Sequence, residues 1–198
     1  MRPRIRTLLA VLLYCAATSC GGHAGVRLRT TAQADVVRAL GSRIVDLLAR
    51  PDSVRSFLLS REQVPTHLGR PDAVAMWKIQ RLGPLLGPTE VDTLRSLAFS
   101  SASYLWETKA CTPTPGVGFK FYSSSGQLDV AMCFECGMWI FATNTTARGE
   151  NFDSAAPELT RIAQRLFPDL HLSMSEASRM KKQAEWEKRQ AWYRQPPH

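Results

Sequence analysis

The chain has 198 residues, 44% of them hydrophobic and 21% charged, with a formal net charge of +8. That is long enough for one domain with a core of its own, and with no internal repeats a solenoid or repeat array is excluded. The positive charge alone would suit nucleic acid, but an export signal at the N-terminus removes nucleic acid as a partner.

Arg2, Arg4 and Arg6 form a basic start, followed by a 10-residue apolar run over 8–17. That run is too short to span a bilayer as a mature helix. Ala17 and Ser19 are small residues at −3 and −1 of a cut before Cys20, so 1–19 is expected to be a secretory signal peptide. Ala-Thr-Ser-Cys resembles the bacterial lipobox, whose cysteine is lipidated, although that pattern prefers leucine where this chain has Ala17. The expectation is an exported protein held in the bacterial cell envelope by lipid on Cys20, facing the periplasm or the cell surface. The alternatives are ordinary export, with Cys20 a free or paired thiol, and a retained N-terminal anchor. Removing 1–19 takes away three arginines, lowers the net charge from +8 to +5 and leaves 179 residues.

Residues 20–30 read as a tether. From Thr31, Val36, Val37, Leu40, Ile44, Leu47 and Leu48 recur at helical spacings, so one stripe faces inward until Arg50-Pro51 ends it. Asp52 is expected to cap a short helix through Val54, Phe57 and Leu58. Residues 61–70 read as loop. Residues 72–82 fit a helix turn or a strand equally, and Gly83-Pro84 and Gly87-Pro88 punctuate the chain beyond them. Thr89 to Asp92 has capping-box spacing, with Val91, Leu94, Leu97 and Ala98 as the next helical stripe. Residues 101–106 suggest a short lead-in strand.

Residues 116–143 carry strand periodicity. Val117, Phe119 and Phe121 alternate with Gly118, Lys120 and Tyr122, and after a Ser-Ser-Ser-Gly turn Leu128, Val130, Met132 and Phe134 alternate with Asp129, Ala131 and Cys133. Placing Tyr122 opposite Gln127 sets Phe121 against Leu128, Phe119 against Val130 and Lys120 against Asp129. Both apolar sets then share one side and an opposite-charge pair lies on the other, a match that a one-residue slip would destroy. A third strand over 138–143 is expected after a turn through Glu135-Cys136-Gly137. Met132 would then meet Ile140, and Cys133 would meet Trp139. Tyr122, Cys133, Trp139 and Phe141 would share a second face, too apolar to leave wet. Residues 144–151 read as loop. A helix then opens at Phe152-Asp153-Ser154, with Leu159, Ile162, Ala163 and Leu166 on its inner face, and is the first choice to cover the sheet.

From about Ser175 to Arg194 the chain again looks helical but polar nearly all round. Arg179, Lys181, Lys182, Lys188, Arg189 and Arg194 outnumber Glu176, Glu185 and Glu187. Residues 170–198 are expected to be a solvated basic helix or tail, the sharper reading being contact with anionic lipid or an acidic envelope partner.

The same register places the approach to the first strand, with Cys111, at the rim where Cys133 and Cys136 lie. Such a rim admits three readings. A catalytic dithiol wants its Cys-x-x-Cys at a helix N-terminus, and these flanks read strand–turn–strand. Structural zinc wants four ligands, so Cys111, Cys133 and Cys136 would need a histidine from His67, His171, His23 or His198. The third reading is one structural disulfide. Residues three apart in a regular strand have Cα atoms about 10 Å apart and cannot bond, so either a turn at Glu135 lets Cys133 meet Cys136 or Cys111 pairs with one of them. A Cys111-containing disulfide with a buried leftover thiol is favoured. No Gly-rich phosphate loop, His-Glu-x-x-His or Gly-x-Ser-x-Gly occurs, so the sequence offers no catalytic set and no cofactor motif. Asp129 and Glu135 read as an outward strand charge and a turn residue.

Pro-Gly-Val-x-Phe-x-Phe-Tyr, Leu-Asp-Val-Ala-Met-Cys-Phe-Glu-Cys, then Phe-Asp and a helix ending Leu-Phe-Pro resemble a group of uncharacterised bacterial proteins, many of them exported. The resemblance covers roughly 104–169, and its Cys-Phe-x-Cys strand end is its most recognisable piece. No activity attaches to the group, so it implies no substrate. The expectation is a single α+β domain over 31–169, a small antiparallel meander of three or four strands packed by helices, acting as a structural or binding module of the envelope. The alternative is a thiol-redox or zinc protein using Cys111, Cys133 and Cys136.

Overall fold

The structure, a computed structural model, describes residues 31–64, 69–106 and 110–170. The leader, Cys20, the tether, all four histidines and the tail from 171 lie outside the described residues. In chain order the elements are α1 (Ala34–Leu40), α2 (Ser42–Ala49), β1 (Ser53–Gln63), β2 (Ala73–Val74), β3 (Trp77–Leu85), α3 (Pro88–Phe99), β4 (Val117–Ser123), β5 (Gly126–Cys133), β6 (Met138–Ala142), β7 (Ala147–Asn151) and α4 (Ala156–Leu166). Short 3-10 turns cover Ser101–Ser103 and Asp153–Ala155.

The strands form one antiparallel sheet of seven, in the order β2-β3-β1-β4-β5-β6-β7, curled into a half-barrel. The fold remains α+β, but the expected meander of three or four strands is overturned. Asp52 caps no helix, because 53–63 run as β1 between β3 and β4. Part of the expected 61–70 loop belongs to that strand, and the ambiguous 72–82 segment holds β2 and the start of β3 around a turn at Ala75-Met76. The expected 144–151 loop holds β7, which pairs with β6 through its main chain. The lead-in strand at 101–106 is a 3-10 turn plus one bridge from Leu105 to Asn151.

The β4–β5 register is the one the alternation dictates, with Phe119 opposite Val130, Lys120 opposite Asp129 and Tyr122 opposite Gln127. The β5–β6 register is one residue off the expectation. Met132 faces Trp139 and Cys133 faces Met138, because only residues 134–137 form the connection. Gly137, at φ +64°, lets it close this tightly. Trp139 and Phe141 therefore join Phe119, Phe121, Leu128, Val130 and Met132 on one face instead of the other.

That face packs against all four helices. Val36, Leu40, Ile44, Leu47 and Leu48 come from α1 and α2, Leu94 and Phe99 from α3, and Leu159 and Ile162 from α4. The first two helices carry the single predicted stripe, but Gly41, at φ +85°, breaks it into two pieces. No side chain caps α3: Gly87 is its N-cap and Pro88 opens it, so the capping-box spacing goes unused. Each large side chain buried in this layer contributes about 1.5–3 kcal/mol relative to exposure.

The other face is covered by the sheet itself. The β2–β3 hairpin curls over β4 and β5, and Val74, Ala75 and Trp77 pack on Phe57, Leu59, Ala131 and Ile140. Small residues make room for it. A Cβ on Gly118 would lie 2.9 Å from both Leu59 Cδ1 and Val74 Cγ1. Asp129 is therefore no outward charge, since Lys120 and Asp129 are sealed beneath this flap at 1% exposure each.

Candidate functional site

The three sulfur atoms outside the N-terminal segment meet at one rim of the sheet. Of the pairings the sequence left open, Cys111 bonds to Cys136, with Cα atoms 6.0 Å apart. Cys133 remains a buried thiol. Its Sγ accepts from the Thr114 N–H at 3.2 Å and from the Cys136 N–H at 3.4 Å. The turn is fixed from the far side as well. The Phe152 N–H donates to the Gly137 carbonyl at 2.7 Å, and a Cβ on Gly137 would lie 2.8 Å from Asp153 Oδ1.

These sulfur contacts shape the neighbouring surface. The β1–β4 ladder ends at Leu58 opposite Val117, with one further bond from the Leu59 N–H to the Gly116 carbonyl at 2.9 Å. The Gly116 N–H turns instead to the Met132 carbonyl at 3.1 Å, and the Thr114 N–H turns to Cys133. The disulfide holds residues 111–116 toward the β5–β6 turn while β1 runs on beside β3. A cleft of about 650 Å³ opens between them. Its walls are Leu59 to Glu62, Lys78 to Gln80, residues 114–116, Phe134, Glu135 and Leu170.

The charged side chains at the cleft are paired with one another. Arg61 reaches Glu135 at 3.8 Å, and the Lys78 ammonium lies 2.9 Å from Glu62 Oε2. Exposed pairs of this kind contribute little to stability. Glu135, read as a turn residue, is one, and also edges the cleft. With Cys111 and Cys136 oxidised, Cys133 is the one free thiol among the described residues. Among the described residues no three His, Cys, Asp or Glu side chains are grouped so as to hold a metal ion.

Beneath the flap, Lys120 and Asp129 form a second polar cluster. The Lys120 Nζ lies 3.1 Å from each Asp129 oxygen and donates to the Arg70 carbonyl at 2.9 Å. Asp129 also accepts from the Ala75 N–H at 2.8 Å and from Gln127 Nε2 at 2.7 Å. Ala75 adopts a left-handed φ of +53°, which aims its N–H at the carboxylate. This cluster ties residues 70–75 down onto β4 and β5, so its role is to hold the flap.

The β1 wall of the cleft is hidden in the sequence, where Asp52 to Leu58 reads as a short helix and 61–70 as loop. The usable signal was the run Phe57-Leu58-Leu59, which is apolar toward both sides, as a strand covered on both faces must be. For the ion pair, the signal was the company it keeps: Gly118 and Ala131 share its face, and small residues there leave room for a covering layer. Comparison with protein-family models, with curated proteins and with solved structures finds no match to this chain.

Proposed function

We propose that the chain is an exported, lipid-anchored binding module of the bacterial cell envelope that takes its ligand in the cleft beside the disulfide. The observation that carries this reading is the Cys111–Cys136 bridge itself. A disulfide of this kind persists in oxidising compartments, where the leader and Cys20 would deliver the chain. It also frames the cleft, so the compartment and the binding surface depend on one bond. The resemblance over 104–169 to exported bacterial proteins points the same way. The test is expression of the whole chain in a bacterial host with labelled palmitate. Label in the membrane fraction that disappears in Cys20→Ala supports the reading, and an unlabelled soluble product refutes the anchor.

The competing reading is thiol or zinc chemistry through Cys111, Cys133 and Cys136. It is favoured by one detail, the two N–H groups aimed at Cys133 Sγ, an arrangement that also suits an ionised or metal-bound sulfur. Metal analysis and thiol titration of the mature protein separate the two. Stoichiometric zinc or three reactive thiols favours the competitor, and one disulfide with one protected thiol favours the module.

A further inference from the structure

Lys120 and Asp129 stand directly opposite each other on β4 and β5, and each is 1% exposed. A lone ion pair buried this deeply is a poor stabiliser, because taking two charges out of water can cost more than their attraction returns. Yet three further groups hold this pair in place. Nζ lies 3.1 Å from each carboxylate oxygen and donates to the Arg70 carbonyl at 2.9 Å. Oδ2 accepts from the Ala75 N–H at 2.8 Å, and Oδ1 accepts from Gln127 Nε2 at 2.7 Å. Among the described residues Ala75 is the one non-glycine residue with a positive φ, +53°. That conformation is strained, and it is what aims the Ala75 N–H at Oδ2.

We propose that Lys120 and Asp129 condense to an isopeptide bond, a covalent cross-link between β4 and β5 beneath the flap, and that the ion pair is the state before condensation. Nothing in this bond depends on the chain being a binding module. A proton passes from Nζ to Oδ1 along their hydrogen bond, leaving a neutral amine and a carboxylic acid. The carboxyl group turns about its soft χ2 to present Cγ, and the Nζ lone pair attacks it. Charge that develops on Oδ2 meets the Ala75 N–H, a fixed main-chain donor in a site closed to water. A second proton then moves from nitrogen to Oδ1, the Cγ–Oδ1 bond breaks, and Oδ1 leaves as water. Of the three ammonium hydrogens, one stays on the amide and two leave on the water, and no co-reactant is consumed.

The surroundings fit the product as well as the pair. The amide N–H keeps the Arg70 carbonyl as its acceptor, and the amide oxygen keeps the Ala75 N–H as its donor. The departing Oδ1 is the oxygen bonded to Gln127, which is only half-buried, so the water has a way out. Condensation also discharges both buried groups at once. Groups held in contact react as though at about 10⁵–10⁸ M, which offsets the reluctance of an amine and an acid to condense in water.

The experiment is peptide mapping of the purified full-length chain by mass spectrometry, with the Cys111–Cys136 bridge reduced and alkylated. Trypsin cuts after lysine and arginine, so an uncondensed chain yields peptides 110–120 and 121–148. The isopeptide bond blocks the cut after Lys120. The expected main product is one peptide, 110–148, lighter by one water. A second protease that cuts after aromatic residues should convert it to a branched peptide joining Lys120 to Asp129. Lys120→Arg, which keeps a cation but lacks the amine nucleophile, should give 121–148 at full mass. If that variant fails to fold, the wild-type map decides. Complete cutting after Lys120 in the folded wild type, with 121–148 at full mass, overturns the proposal. So does a 121–148 peptide that has lost water by itself, because the ring is then closed on the main chain of Asp129 and not on Lys120.

Discussion

The Lys120 ammonium lies 3.1 Å from each carboxylate oxygen of Asp129, across adjacent strands and beneath a flap that leaves both side chains 1% exposed. A buried ion pair adds little net stability when complete, but removing one partner strands the other charge in a medium that cannot solvate it. Lys120→Met should therefore destabilise the domain by about 3–5 kcal/mol in urea unfolding. Lys120→Met with Asp129→Leu should recover much of that loss while freeing residues 70–75. Amide exchange at Ala75 would then quicken, since its acceptor is gone. Equal stability of the single variant and the wild type would refute the flap-pinning role.

Gly118 tests the closeness of the same flap. A side chain there meets Val74 Cγ1 and Leu59 Cδ1 at 2.9 Å, and Val74 is fully buried and stiff at χ1. Gly118→Ala should destabilise by about 1–3 kcal/mol despite alanine's lower backbone entropy. Val74→Ala in the same chain should relieve part of the clash, and a double-mutant cycle should report favourable coupling between the two changes.

Glu150 gives the expected pH dependence. It stands on β7 opposite Trp139, and burial, partly offset by Arg148, raises its carboxyl pKa above the usual value. The folded state thus keeps this proton at a pH where the unfolded chain has lost it, so ionising Glu150 costs native stability. That cost sets in as pH rises past the unfolded carboxyl's pKa near ~4.3 and is complete above the raised folded value. Glu150→Gln should raise Tm at neutral pH, with the gain shrinking to nothing below about pH 4. A gain that does not change with pH would show that charge is not the cause.

Removing the bridge should be costly as well. Cys111 and Cys136 are 25 positions apart, and opening a loop of that length costs about 3 kcal/mol in the chain-entropy model. Cys111→Ser should lose about that much in denaturant unfolding and should also quicken amide exchange at Thr114, whose N–H is held on Cys133. No change at Thr114 would separate the cleft from the disulfide.

What was legible in the sequence and what was hidden follows from whether an element's own side chains alternate in type, however many of its faces are covered. β4 and β5 carry an opposite-charge pair that alternates against their large apolar residues, so their register could be read directly. The helical stripes of α2 and α4 were legible because one side of each meets solvent. β1 is buried toward both sides, so Phe57-Leu58-Leu59 has no period of two and passes for a helix. β3 ends in Gly83-Pro84-Leu85, which looks like punctuation. Proline is tolerated there because the β1–β3 register shifts between Arg55 and Phe57, where three steps of β3 match two of β1 and the ladder is already interrupted. β7 is Ala-Arg-Gly-Glu-Asn, held by its ladder to β6, and no side-chain pattern announces it. The β5–β6 register was hidden because it depends on the turn length, four residues where the expected pairing needs five. The gathering of Cys111, Cys133 and Cys136 was legible because it needed only the β4–β5 register. Which two of them bond depended on the turn's shape, which spacing alone does not fix.

Disulfide mapping of the mature protein, purified without reductant and alkylated before and after denaturation, tests the cleft-framing bridge most directly. The expected result is a peptide linking Cys111 to Cys136, with Cys133 alkylated only once the chain is unfolded. A Cys133–Cys136 link, or three cysteines alkylated in the native protein, would contradict it.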